Sequence, residues 1–473
     1  MSKTLNDLRR KDLLRTTGLI DGKWSSATSS ETFCVLNPAS LDTLATLPEM
    51  NASDTAQAVT AAHKAFPSIR KTTARQRARW LRKWNDLVLE NIDDLALILT
   101  LGNGKSLAEA RGEVVYGALF LEWFAAEAER THGEVVPPAN PNHRIMTVKQ
   151  PLGVAALLTP WNLAIAMITR KAGAALAAGC TTVWKPAGET PLSCLALAVL
   201  AHEAGLPEGS INVILALDKV AEVGQALCEN GLCSPTLKKL SLELGGNSPF
   251  IVFEDTQIDH AVESLVMARF RNSGQTCVTA NRVYVQKGIY DRFADAMLKR
   301  MQTLQVGPGT EEGVTIGPLT HERAVEKAIQ HIEDAKRHGG KVLLGGAPLP
   351  DLKGYLIQPT LIRDMKAEMI TTCEEVFAPV LGLYPFETED EVIAMANDSD
   401  VGLGSFIMSE NMSRCVRVAE ALETGMVGIN VGMLSACESP SGGVKESGYG
   451  REGGTQGIED YLTVKSILLD VNH

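Results

Sequence analysis

Between Gly153 and Glu229 the sequence alternates short apolar runs with helical stretches, and this alternation restricts the fold more than any other feature. Apolar runs at 154–158, 181–184 and 211–215 read as strands, and a helix ending at Ala178 and stretches at 191–204 and 220–229 read as helices. A pattern of this kind builds a parallel sheet with helices on its faces, and ligands bind at the carboxyl ends of the strands. After Glu229 the rhythm breaks. Residues 230–237 separate the last helix from the next strand-like run, 239–244, and are too few for the strand, turn and helix that the pattern would supply.

The flanks extend this reading. Helices are expected at 54–66, 72–98 and 119–130, the second with Trp80, Leu81, Trp84, Leu87 and Val88 at core-facing spacing. Pro137, Pro138 and Pro141 mark a turn between two short strand-like pieces, a projecting hairpin. A second α/β unit runs from strand-like 250–253 to about Gly428, and residues 460–469 alternate as a strand. A chain of 473 residues, 45% hydrophobic, is large enough for two or more domains. Its net charge of −11 argues against nucleic acid as the main partner, and an anionic substrate would need a local cationic pocket. No apolar run has the length of a membrane span. The nine cysteines include no C-x-x-C and no zinc spacing, and the first residues lack a signal peptide's apolar core. The expectation is reduced thiols, no metal and a cytoplasmic location.

One cysteine stands apart. Cys277 lies in the polar run Arg271-Asn272-Ser273-Gly274-Gln275-Thr276-Cys277, directly after a helical apolar stretch. A thiol is mostly protonated near neutrality, and a polar loop can lower its pKa. Upstream, Glu243 sits between two leucines before Gly245-Gly246, where partial desolvation would make a carboxylate a better base. Asn162, after Pro160-Trp161 at a strand's carboxyl end, is either a helix cap or an oxyanion donor. Thiol, base and oxyanion donor are the parts needed to oxidise an aldehyde through a thioester. The run Gly448-Tyr449-Gly450-Arg451-Glu452-Gly453 has dinucleotide-fingerprint spacing, but no strand feeds it and too little chain follows. It reads as a glycine-rich interdomain loop.

These residues together resemble the aldehyde dehydrogenase superfamily: Gly-Gln-Thr-Cys at Cys277, Leu-Glu-Leu-Gly-Gly at Glu243, Pro-Trp-Asn at Asn162, Lys-Pro-Ala at Lys185, Glu375-Val376-Phe377, and Gly442 to Gly448. The likeness spans nearly the whole chain. Ile168-Thr169-Arg170-Lys171, Phe270-Arg271-Asn272 and Val427 to Asn430 resemble succinate-semialdehyde dehydrogenases in particular. The resemblance implies an α/β fold of three parts: a Rossmann-type cofactor domain (residues 1–132 and 150–245), a catalytic domain (246–440) and an oligomerisation arm (133–149 and 455–473). It implies Cys277 as nucleophile, Glu243 as base, Asn162 and the Cys277 N–H as oxyanion donors, and Lys171 in a proton path. Trp161, Lys185, Pro186, Ala187, Gly188, Glu375 and Phe377 would line the site for NADP or NAD. Arg170, Arg271 and Ser435 would grip the carboxylate of an ω-carboxylated aldehyde such as succinic semialdehyde. A homodimer or homotetramer is implied.

The sequence departs from the family where its rhythm breaks. Family members carry a strand ending in Phe-Thr-Gly-Ser there, then a helix near the cofactor phosphates; this chain has neither, so cofactor affinity is expected to be sharply reduced or lost. Gly188 replaces an acidic residue of NAD-preferring members, which would admit a 2′-phosphate. Ser441 replaces a phenylalanine and Ala378 a glycine, changes that would loosen nearby packing. Two alternatives follow: a cofactor-deficient pseudoenzyme or regulatory subunit, and a cofactor-independent thiol esterase.

Overall fold

The computed structural model describes residues 3–232, 238–349 and 353–471. Its first sheet has five strands in the order Lys23–Ser25, Gly18–Ile20, Ile211–Val213, Thr181–Lys185, Val154–Leu158. The last three are parallel, as the alternation dictates. Val154–Leu158 and the helix Val220–Glu229 fall at the expected bounds. The helices Ala166–Ala178 and Pro191–Glu203 pack into one apolar core with the N-terminal helices, and Trp84 stacks on Trp184 there at 6.0 Å.

Two expectations change. The stretch 72–98 is two helices, Ala74–Glu90 and Ile92–Asn103, because Asn91 leaves helical geometry (ψ 22°) and its Nδ2 donates to Leu87 O at 2.7 Å. The third helix begins earlier, at Leu107, where Ser106 and Glu109 form a capping box.

The sheet ends at Val154–Leu158. Residues 239–244 do not join it. Of them only Leu242–Glu243 is strand, paired antiparallel with Gly448–Tyr449. Lacking a sheet to bury them, apolar side chains stay in solvent: Leu158 is 44% exposed, Leu240 47% and Leu244 51%. Residues 233–237, within the interrupted segment, lie outside the described residues.

The second sheet has seven strands, ordered Lys341–Leu344, Thr360–Arg363, Val380–Phe386, Ala280–Gln286, Ser248–Val252, Gly404–Met408, Met426–Ile429. It is parallel except for its first strand, and apolar clusters pack against it. The third element is a ribbon in which His143–Pro151 pairs antiparallel along its length with Leu462–Asp470 and also with Val135–Val136. Among the described residues no helix is long and apolar enough to cross a membrane.

Candidate active site

The loop that carries Cys277 begins where the helix Ile258–Phe270 stops. The backbone turns left-handed at Asn272 (φ 51°), Ser273 (φ 56°) and Gly274 (φ 78°). Non-glycine residues in that region cost about 1–3 kcal/mol each and persist only where neighbours enforce them. Here Asn272 N donates to Glu109 Oε1 at 2.8 Å, Asn272 Nδ2 to Asn162 O at 2.8 Å, and Ser273 Oγ to Gly317 O at 2.9 Å. A Cβ at Gly274 would lie 2.5 Å from Ala378 O.

The run through Glu243 is fastened beside this loop. Leu244 N donates to Ser447 O at 3.0 Å, and Ser447 Oγ to Gly245 O at 2.7 Å. Gly246 permits the approach, since a Cβ there would meet Cys277 O at 2.5 Å. The outcome is that Cys277 Sγ donates to Glu243 Oε1 at 3.3 Å. The loop does not lower the thiol's pKa. Burial, then the carboxylates of Glu243 and Glu375, hold it well above the ordinary thiol value, with Arg170 opposing.

Asn162 Nδ2 donates to Gln275 O at 3.0 Å, which places this amide two residues from Cys277 in sequence. Its own turn is held by a buried pair that the sequence reading did not identify. Lys105 Nζ donates to Asn162 O at 2.8 Å and pairs with Glu113, and Glu113 Oε1 accepts from Ile165 N at 2.9 Å. Glu109 and Glu113 are four apart in one helix, the spacing that puts side chains on one face, and Lys105 lies just ahead of its Ser106 cap. Lys105 and Glu113 fix the Asn162 turn, and Glu109 fixes the Cys277 loop.

The residues expected at the cofactor form two groups. Trp161 packs edge-on against Phe377 at 5.5 Å, and Phe377 is itself left-handed (φ 56°). The carboxylate end of Glu375 is buried, and its Oε1 has no hydrogen-bond partner, an orphaned acceptor that suits a ribose hydroxyl. Burial pushes that carboxyl up to about 8, with Lys327 and Arg269 pulling the other way. In the second group, Lys185 is buried at the end of its strand, and burial lowers its pKa. Pro186, Ala187 and Gly188 follow, and a Cβ on Gly188 would lie 2.7 Å from Leu217 Cβ. Close packing therefore requires glycine at 188, whatever the cofactor.

Arg170, Arg271 and Ser435 converge around the part-buried Tyr116. Both guanidiniums act on it electrostatically, and its buried hydroxyl has no hydrogen-bond partner among the described residues. Arg271, Thr276 and Ser435 also line one small pocket. The two arginines differ. Arg170, which lies 5.3 Å over Phe120, pairs with Glu452 at 2.8 Å, and Lys171 pairs with the same carboxylate. No ion pair holds Arg271 among the described residues. Glu452 lies in the glycine-rich run with fingerprint spacing. That run serves structure: Gly448–Tyr449 carries the Glu243 strand, and Glu452 holds two cations. Ser441 and Glu452 exchange backbone hydrogen bonds at 2.7 Å, and the buried Ser441 Oγ has no partner.

A sequence profile of the Aldehyde dehydrogenase family matches residues 24–233 and 222–467. The chain belongs to the aldehyde dehydrogenase family. Among its relatives, a Schizosaccharomyces pombe succinate-semialdehyde dehydrogenase [NADP(+)] is 48% identical, aligned over 99% of this chain and 98% of its own length. A Pseudomonas putida glutarate-semialdehyde dehydrogenase is 47% identical over 98% of this chain and 100% of its own. The crystal structure of an Escherichia coli NADP-dependent enzyme superposes with a TM-score of 0.96 at 46% identity, covering 98% of this chain and 100% of that one. As an aldehyde dehydrogenase the chain is interrupted at one place. Its two profile matches meet at 222–233, where the alternation breaks.

Proposed function

We propose that the chain oxidises an aldehyde bearing a distal anionic group, of the succinic semialdehyde type, to its carboxylic acid with NADP or NAD. The observation that carries this is the 3.3 Å contact between Cys277 Sγ and Glu243 Oε1. Glu243 takes the thiol proton as sulfur adds to the aldehyde carbon. The oxyanion so formed is received by Asn162 Nδ2 and the Cys277 N–H. When bound, the cofactor supplies the hydride acceptor, with Glu375, Phe377 and Trp161 to hold its nicotinamide end and Lys185 its adenosine end. Glu243 passes the thiol proton on and, as the carboxylate again, takes a proton from water as it attacks the thioester, and sulfur leaves with the acid released. Lys171 with Glu452 offers that proton a path.

Relatives at 45–48% identity are named for succinate semialdehyde, glutarate semialdehyde and 3-sulfolactaldehyde. Each of these compounds carries an anion remote from its aldehyde. Arg271, with no internal ion pair, suits that anion, and Ser435 and Arg170 complete the pocket. NADP fits the names of several relatives. A pseudoenzyme is not favoured: relatives that match nearly the whole chain are named as dehydrogenases, and the Cys277–Glu243 contact supports the catalytic reading. The ribbon of 143–151 and 462–470 supports assembly as a dimer or tetramer, and the reading includes a cytoplasmic location. Reduced-nicotinamide absorbance with succinic semialdehyde, with Cys277→Ala as control, tests the reaction. No signal above the control would refute it.

A further inference from the structure

In a parallel α/β sheet a cofactor diphosphate is seated by free N–H groups at a helix N-terminus, at the carboxyl ends of the strands. Among the described residues three helices start there, and each is either buried or faced by a carboxylate. At the start of Ala166–Ala178, Ile165 N and Ala166 N donate to Glu113 Oε1 at 2.9 and 3.4 Å. Before Val220–Glu229, Leu217 N donates to both oxygens of the buried Glu49 at 3.1 Å, and Lys219 N to Oε1 at 2.7 Å. The first N-terminus, and the turn that leads into the second, already hold a carboxylate, whose charge repels a phosphate at either place. Pro191–Glu203 opens on a proline without an N–H, and its first turn, Pro191, Leu192 and Ser193, is buried. Nearby cations are offset in the same way: Lys219 pairs with Glu31, while Glu189 and Glu49 act on Lys185. A further helix would have to follow Glu229, and among the described residues none intervenes before Leu242.

The residues that would hold the nucleosides keep free polar atoms. Glu375 has an orphaned oxygen, with Phe377 and Trp161 at the same end, and Lys185 has no hydrogen bond among the described residues at the other. We infer that this enzyme holds its dinucleotide by the two nucleosides and leaves the diphosphate without a protein seat. This rests on the proposed dinucleotide-dependent oxidation.

The test is a displacement titration on the full chain. NADP binding is followed by tryptophan fluorescence or calorimetry, and adenosine and ADP then compete. Expected is measurable NADP binding, displaced by ADP within about threefold of the concentration that adenosine requires. A seated diphosphate would instead gain about 10-fold or more per charge-assisted hydrogen bond. A gain for ADP above threefold overturns the inference. So does absence of NADP binding, or failure of both competitors, since the nucleoside ends would then hold nothing. In parallel, succinic semialdehyde is tested without nucleotide for protection of Cys277 against iodoacetamide. Loss of protection with the expected titration would sink the catalytic reading alone; protection with a large ADP gain would sink this inference alone.

Discussion

Cys277 donates to Glu243 across 3.3 Å, although the two lie on separate segments 34 residues apart. One carboxylate thereby raises the thiol's pKa and stands ready to take its proton. These effects have opposite consequences for two measurable rates.

Glu243→Gln should lower turnover of succinic semialdehyde by about 10²–10⁴-fold, the usual contribution of a positioned base. The same variant should be alkylated faster by iodoacetamide at neutral pH, because the thiol loses its carboxylate neighbour while its burial stays. Stopped assays at one pH compare both rates. A fall in both would mean that Glu243 does not hold the thiol proton.

Asn162→Ala should reduce kcat by about 10²–10³-fold with little change in KM, as for loss of an oxyanion donor. Steady-state kinetics separates this from a binding defect.

Arg271→Leu should erase most of the preference for succinic semialdehyde over butyraldehyde, by about 10–100-fold in kcat/KM, the worth of a hydrogen bond to a charged group. An unchanged ratio would place the anion elsewhere.

Glu113→Gln should destabilise the fold by about 3–5 kcal/mol, since it strands the buried Lys105 without its carboxylate. Denaturant unfolding reads this directly.

Glu375 sets a pH test. Its folded pKa, about 8, stands above its ordinary value of 4.5. The folded state therefore binds the extra proton between these values, and this contribution to stability is lost as pH rises through the folded pKa. Glu375→Gln removes the titration, so its melting temperature relative to the unsubstituted chain should climb from about pH 6 to about pH 9. A constant difference would refute the shift.

The alternating strands were legible because each is a bounded apolar run, and the pairing of Cys277 with Glu243 because both motifs are dense in chemistry. What escaped notice depends on distance in sequence. Glu452 reaches Arg170 and Lys171 from more than 280 positions away, and no local pattern marks such a partner. Tyr116 lies in mid-helix with nothing beside it in sequence to suggest that Arg170 and Arg271 would act on its hydroxyl. The thiol's pKa was misjudged because a polar loop in sequence is not a wet loop in space. The run 239–244 reads as strand from its own residues, yet a strand needs a neighbour, and Leu242–Glu243 finds one in Gly448–Tyr449 alone.

The border at Val154–Leu158 carries a handling cost. Among the described residues no strand pairs with its outward side, so its row of amides there is open to pairing with an extended peptide, and a second molecule is the nearest such peptide in a concentrated sample. Adhesion between molecules along that row, ahead of denaturation, will limit the storage life of this enzyme. Dilution or a lysine placed on the border will lengthen it.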